Sequence, residues 1–185
     1  MDALVMAGGR GSRLGAGEKP LLEIDGVPMI DRVLRAVEES DVDRARVVTS
    51  PHTPETAAHV RQPTIHTPGN GYVADLNRAL SGVDRPVLTV TADLPLLTGA
   101  VIDDVLARAG TESTAVAVPR SLVRRVGATV DTTTTVEGRV VVPTGLNVVG
   151  TDRGRKHGGT RIMHDSALAI NVNRPRDAWI AEARA

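Results

Sequence analysis

The sequence predicts an α/β fold, a Rossmann-like three-layer sandwich on a mostly parallel central sheet, built as one domain over residues 1–185. Three observations lead there. Short β-branched apolar runs alternate along the chain with longer segments of helical period. A glycine-rich stretch from Gly8 to Gly15 follows directly on the first of those runs. Pro86 to Thr91 is dominated by apolar and β-branched residues, as suits a strand buried on both faces of a sheet. A length of 185 residues matches one domain.

Taken in order, Ala3 to Ala7 is the first strand. Ile30, Val33, Leu34 and Val37 fall at helical spacing and predict a helix over Met29 to Glu39 with one apolar stripe. Arg46 to Thr49 is a strand, Glu55 to Val60 a helix and Thr64 to His66 a short extended piece. Pro68-Gly69-Asn70-Gly71 is a turn that opens a helix from Tyr72 to Leu80. After the Pro86 to Thr91 strand, Thr98 caps a helix from Gly99 to Arg108, with Asp103 and Asp104 expected in its first turns. Ser113 to Val118, Arg139 to Val142 and Ser166 to Val172 read as strands, and Arg176 to Arg184 as a closing helix. The run Thr132 to Thr135 reads as a surface hairpin or edge strand, because threonine favours extended backbone.

Composition excludes several chemistries. With no cysteine there is no disulfide scaffold, thiolate zinc site or cysteine nucleophile. Twenty-two basic residues balance twenty-two acidic ones, and Tyr72 and Trp179 are the only aromatics. The chain therefore has neither a global field nor a stacking platform for nucleic acid. No apolar run reaches the roughly 18 residues of a membrane span. Met1-Asp2-Ala3-Leu4 lacks the basic start of a signal peptide, so the expected location is cytoplasmic.

Glycines let backbone N–H groups approach an anion closely, which makes Ala7-Gly8-Gly9-Arg10-Gly11-Ser12-Arg13 a candidate phosphate loop. It is neither of two familiar ones. The dinucleotide fingerprint requires glycine or alanine where Leu14 stands, and the nucleoside-triphosphatase loop requires Gly-Lys-Ser/Thr where Glu18-Lys19-Pro20 stands. Arg13 can fork onto two phosphate oxygens, and Lys19, one of two lysines beside twenty arginines, supplies a point charge. Asp93 closes the most apolar strand, where ligands of open α/β sheets sit. A single carboxylate there suits Mg2+, which completes its shell with water and substrate phosphates. Between these lie Thr49-Ser50-Pro51-His52-Thr53 and Thr67 to Tyr72, whose Ser50, Thr53, Asn70, Gly71 and Asp75 could supply donors and acceptors to a ligand or equally serve as ordinary turn residues. The five histidines show no metal-ligand spacing and read as surface or turn residues.

The glycine loop followed by Glu18-Lys19-Pro20-Leu21-Leu22 resembles the nucleotidyltransferases that join a nucleoside triphosphate to a phosphorylated acceptor, among them sugar-nucleotide pyrophosphorylases and molybdenum-cofactor guanylyltransferases. That resemblance implies a GT-A-like fold. It implies that Ala7, Gly8, Gly9, Arg10, Gly11 and Ser12 wrap the triphosphate, that Arg13 and Lys19 neutralise it, and that Asp93 binds the metal.

Pro143-Thr144-Gly145-Leu146-Asn147-Val148-Val149, paired with Ala169-Ile170-Asn171-Val172-Asn173-Arg174-Pro175, resembles the archaeal adenosylcobinamide-phosphate guanylyltransferases. By that likeness the partners are GTP and adenosylcobinamide phosphate. Asn147, Asn171 and Asn173 then stand where related enzymes place acceptor or second metal contacts, with asparagine where a carboxylate often stands at the last position, and Gly145 counts with the binding residues. A phosphate acceptor is already anionic and needs no strong general base. The glycine-rich basic stretch Arg153 to Gly159 reads either as a flap over the acceptor or as a solvated hairpin tip. Other acceptors, molybdopterin or a sugar phosphate, stay open. A non-catalytic GTP-binding module is disfavoured by the intact Arg13, Lys19 and Asp93 set. The oligomeric state is open, a homodimer included.

Overall fold

The computed structural model describes residues 1–11, 14–15, 17–151 and 158–185. The sheet grows outward from β1 (Asp2–Met6), whose Ala3, Leu4 and Val5 are fully buried. A 3-10 turn at Lys19–Leu21 and a small hairpin, β2 (Glu23–Ile24) and β3 (Val27–Pro28), follow. That hairpin turns on Asp25 and Gly26, both at positive φ, as a two-residue turn between twisted strands requires. Helix α1 (Met29–Glu38) buries Met29, Ile30, Val33, Leu34, Ala36 and Val37. Full burial of each larger apolar side chain there is worth about 1.5–3 kcal/mol relative to exposure.

The chain continues through β4 (Ala45–Thr49), α2 (Pro54–His59), β5 (Thr64–His66), α3 (Tyr72–Leu80), β6 (Val87–Thr91) and α4 (Gly99–Leu106). It closes with β7 (Thr114–Pro119), α5 (Arg120–Val126), β8 (Thr134–Val136), β9 (Arg139–Val149), β10 (Gly159–Ile162) and α6 (Pro175–Glu182).

The main sheet runs β10-β7-β9-β6-β1-β4-β5, with β8 paired to β9. β1 is parallel to both β4 and β6, β4 to β5, and β7 to β10; β9 runs antiparallel to β6, β7 and β8. From β1 the chain steps outward through β4 and β5, then returns to lay β6 on the other side of β1. This reversal opens a crevice outside the carboxyl ends of β1 and β6, and so brings the segments after Met6 and Thr91 together. Alternate residues separate two cores. Leu88, Val90, Leu146, Val148, Val116 and Val118 pack with α1, α4, α5 and α6, whereas Leu4, Met6, Val48 and Val87 face α3.

Three expectations change. Ser166 to Val172 is no strand: Ala167–Ala169 is a 3-10 turn, started by Asp165 Oδ1 accepting from the Ala167 N–H at 2.8 Å. Its apolar residues Leu168, Ala169 and Ile170 are buried because they plug the core. Asp103 and Asp104 lie beyond the first turn of α4, where Asp103 accepts from the Asp41 N–H at 2.7 Å and Asp104 pairs with Arg161. The strand expected over Arg139 to Val142 continues to Val149 and carries the Thr-Gly-Leu-Asn segment with it. Helix α5 and strand β10 had no counterpart in the sequence reading. The Thr132 to Thr135 run does supply the first residues of an edge strand, β8. No helix among the described residues is long and apolar enough to cross a membrane.

Candidate active site

At the crevice, Ala7 continues β1 by donating to Val48 O at 2.8 Å, and the glycine loop leaves from there. Ser50, at the end of β4, donates its hydroxyl to Gly8 O at 2.7 Å, while the same oxygen accepts from the His52 N–H at 3.1 Å. Gly11 sits at φ 60°, and a Cβ there would stand 2.8 Å from Lys19 Cβ. Glycine is therefore required both by the left-handed backbone and by the approach of Lys19 beneath the loop.

Lys19 is delivered from the other side by Glu18. Its carboxylate accepts from the Glu55 and Thr56 N–H groups, each at 2.7 Å, and from the Thr56 hydroxyl at 2.6 Å. Glu18 thereby caps α2 and pins the residue next to Lys19. Glu18→Ala removes all three bonds and is expected to cost about 2 kcal/mol. At this chain length that is a fall of roughly 4–8 °C in Tm. A variant melting within a degree of the parent would remove Glu18 from this role.

Lys19, Asp93, Asn171 and Asn173 close a ring. Lys19 Nζ donates to Asp93 Oδ2 at 2.5 Å and to Asn173 Oδ1 at 2.7 Å. Asn173 Nδ2 donates to Asn171 Oδ1 at 2.9 Å, and Asn171 Nδ2 donates to Asp93 Oδ1 at 2.9 Å. The Val172 N–H donates to the Asp93 carbonyl at 2.9 Å, and buried Asp177 accepts from the Asn173 and Arg174 N–H groups as it caps α6. The Ile-Asn-Val-Asn segment is thus bound by backbone as well as side chain to the end of β6. Lys19 and Asp93 are each only 16% exposed at the side chain, so their attraction is weakly screened.

The cleft beside this ring has a volume of about 580 Å3. Ala7, Gly8, Gly9, Arg10, Lys19 and Asp93 line it together with Asn70, Gly71, Tyr72 and Asp75. Asp75 is buried and accepts from the Gly69 N–H at 2.9 Å, which folds the turn before α3 over the cleft. Burial pushes the Tyr72 phenol above its ordinary pKa; a hydrogen bond with Thr89 opposes the shift and the Asp93 charge adds to it, so the hydroxyl stays protonated. His52 also lines the cleft, with Nε2 3.1 Å from Arg10 Nε and 3.2 Å from Gly69 O. His52 was expected to be a surface or turn residue; it lies in the turn after β4, and from there it reaches the cleft.

Other expected residues lie elsewhere. Thr53 is fully buried, bonded to Ser50 through both backbone and hydroxyl, and does not reach the cleft. Ser50 acts on the loop from behind. Asn147 pairs within the sheet with Thr89, and Gly145, at φ 85°, packs against Thr91, whose Oγ1 a Cβ there would strike. Thr91 Oγ1 itself is buried without a hydrogen-bond partner among the described residues, on a residue that lines the cleft. Ser12 and Arg13, and the basic stretch through His157, lie outside the described residues.

No three His, Cys, Asp or Glu side chains converge among the described residues. The oxygens at the ring, the Asp93 carboxylate and the amide oxygens of Asn171 and Asn173, form the hard donor set that magnesium takes, with the rest of its shell left to water and phosphate. The residues present fit that ion.

The chain is 32% identical to the adenosylcobinamide-phosphate guanylyltransferase of Methanocaldococcus jannaschii, across 98% of this chain and 96% of the other. Over 51% of its length it is 33% identical to a molybdenum cofactor guanylyltransferase of Rhodopseudomonas palustris, covering 49% of that protein. A nucleotidyl transferase structure from Methanothermobacter superposes with a TM-score of 0.69 at 18% identity, covering 99% and 96% of the two chains. Residues 3–154 match the MobA-like NTP transferase domain. With a glycine loop after β1, a lysine beneath it and an aspartate closing β6, the chain belongs to the MobA-like NTP transferase family.

Proposed function

We propose that this nucleotidyltransferase moves GMP from GTP to adenosylcobinamide phosphate, giving adenosylcobinamide-GDP and pyrophosphate. The observation that carries the reading is the ring in which the C-terminal Asn171 and Asn173 meet Lys19 and Asp93 beside the glycine-loop cleft. It joins the nucleotide half of the chain to the segment that resembles the cobinamide enzymes, and the near full-length relative points to the same reaction.

The chemistry is an in-line exchange at the α-phosphorus. An oxygen of the acceptor phosphate forms the new P–O bond, the bond to the β-phosphate oxygen breaks, and pyrophosphate leaves with that electron pair. The nucleophile is anionic near neutral pH, so the protein need only position it and spread the charge. The N–H groups of the Gly8 to Gly11 loop hold the β- and γ-phosphates, and Arg10 and Arg13 neutralise them. Lys19 turns from Asp93 toward the departing oxygen, a charge-assisted contact that strengthens as negative charge develops. Asp93 and Asn173 would hold magnesium, which when bound withdraws charge from the phosphate oxygens. Asp75 and Asn70 offer an acceptor and donors to guanine in the cleft, with Tyr72 the aromatic beside it.

The test is pyrophosphate release from GTP with adenosylcobinamide phosphate, with ATP in place of GTP as control. Release that requires both GTP and this acceptor is expected. Release with molybdopterin instead would favour the reaction of the partial relative, and GTP binding without release with any acceptor would overturn catalysis.

A further inference from the structure

A second cleft, of about 500 Å3, lies on the same sheet and assigns no role in nucleotide binding. Arg120, Ser121, Arg124, Arg139, Val140 and His164 form its rim, and Pro119, Val141 and Ile162 its floor. We propose that this cleft holds the body of the phosphorylated acceptor, a proposal that rests on the transfer reaction above.

Its position comes from the strand directions. β9 runs antiparallel to β6 and continues past the carboxyl end of β6, and Pro119 at the end of β7 pairs with Val141. The carboxyl ends of β6, β7 and β10 therefore share one edge of the sheet, and the second cleft opens on the edge that carries Asp93. It wraps that edge: Arg120 and Arg124 belong to α5 on one face, and part of the floor belongs to the other. Val116, Val118 and Val142 point into the core under α5, so Ala117, Pro119 and Val141 point the other way, to the side of Thr91 and Met6. Gly145 touches Thr91, and from there Val141 is four residues back along β9, a span on the order of 10 Å.

Its charge is unspent. Several arginines elsewhere are engaged, Arg32 with a carbonyl, Arg44 and Arg46 with Asp2, Arg161 with Asp104, and Arg174 with Asp131, whereas others, such as Arg35, Arg61 and Arg85, are unpaired among the described residues but line neither cleft. Arg120, Arg124 and Arg139 make no ion pair or side-chain hydrogen bond among the described residues, and no acidic residue lines the cleft. Arg120 and Arg124 are four apart on α5 and so present one face. Three guanidinium groups offer donors to oxygen acceptors, and Val141, Ile162 and Pro119 beneath them offer an apolar floor, to which exposed Val140 adds.

The occupant must bring a phosphate to Lys19 and Asp93 and still reach this floor. That calls for an extended acceptor with an apolar face edged by carbonyl or anionic oxygens. A corrinoid edged with carboxamides has this chemistry, and a monosaccharide phosphate is too short.

The experiment is steady-state pyrophosphate release by the triple variant Arg120→Gln, Arg124→Gln, Arg139→Gln. All three side chains lie at the rim, outside both cores, so folding is preserved. With adenosylcobinamide phosphate as acceptor, its KM is expected to rise about tenfold or more, while the KM for GTP and kcat at saturating acceptor stay within about twofold. An unchanged acceptor KM with intact turnover overturns the cleft and leaves the acceptor reading standing. If the parent protein turns over molybdopterin and not adenosylcobinamide phosphate, the acceptor reading fails, and the same KM ratio taken with molybdopterin decides the cleft. Turnover confined to a compact sugar phosphate, or with none of the three, overturns both.

Discussion

Replacing Asp93 with alanine is expected to lower pyrophosphate release by at least about 10³-fold, while nucleotide binding in the absence of magnesium stays close to the parent value. The size follows from what is removed. Asp93 is the carboxylate of the ring, and it carries the bonds from Lys19 and Asn171 at 2.5 and 2.9 Å. A preorganised charge at a transferring phosphoryl group is worth several kcal/mol of transition-state stabilisation. The fold is expected to hold, because the Asp93 carbonyl, untouched by the substitution, keeps its bond from Val172. Loss of the ion pair between two partly buried side chains should cost about 1–3 kcal/mol, read as a fall in Tm. Asp93→Asn separates shape from charge, since the amide still fits beside Asn171. Its release should fall nearly as far as that of the alanine variant. Magnesium-dependent release by either variant at the parent rate would remove Asp93 from the metal and from the mechanism.

Much of this geometry could be read before the structure, for reasons that differ from residue to residue. Asp93 and the glycine loop were legible because each follows directly on a buried strand, and strand order alone puts the ends of β1 and β6 side by side. Helix α3 and strand β5 were also legible to the residue, the one from the turn that opens it and the other from its β-branched start. The segment from Ser166 misled because its apolar residues report burial, and burial without a ladder partner looks like a strand in one dimension. Thr53 and Asn147 misled differently: polar side chains in a loop or near a site invite a ligand role, whereas here Thr53 bonds Ser50 in a buried turn and Asn147 lies in the sheet beside Thr89.

Glu18 shows the limit most clearly. It stood in the motif that drew attention to Lys19, but its work is done on Glu55 and Thr56, residues 37 and 38 positions away, which no local pattern discloses. His52 is the same case, since its place in the cleft depends on Arg10 and Gly69 arriving from two other loops.

Lys19→Ala carries the second large effect and the more diagnostic one. In the free protein Lys19 neutralises Asp93 and ties down Asn173, so its removal acts on two steps with opposite signs. Turnover should fall by about 10²–10³-fold, because the oxygen on which charge develops loses its cation while Arg10 and Arg13 serve the outer phosphate oxygens. Asp93, relieved of its counter-charge in a weakly screened site, should meanwhile attract a divalent cation more strongly, and the half-saturating concentration of magnesium should drop several-fold. Manganese titration followed by electron paramagnetic resonance reads this affinity with no turnover at all. Lys19→Arg keeps a positive charge, but the bulkier planar guanidinium spreads it over three nitrogens and cannot place a compact point charge on the departing oxygen from this position; it should recover only part of the rate. A lysine that merely braced the fold would weaken both metal binding and turnover on removal. Tighter metal binding with slower transfer is the signature of a lysine that guards the carboxylate until the nucleotide draws it away.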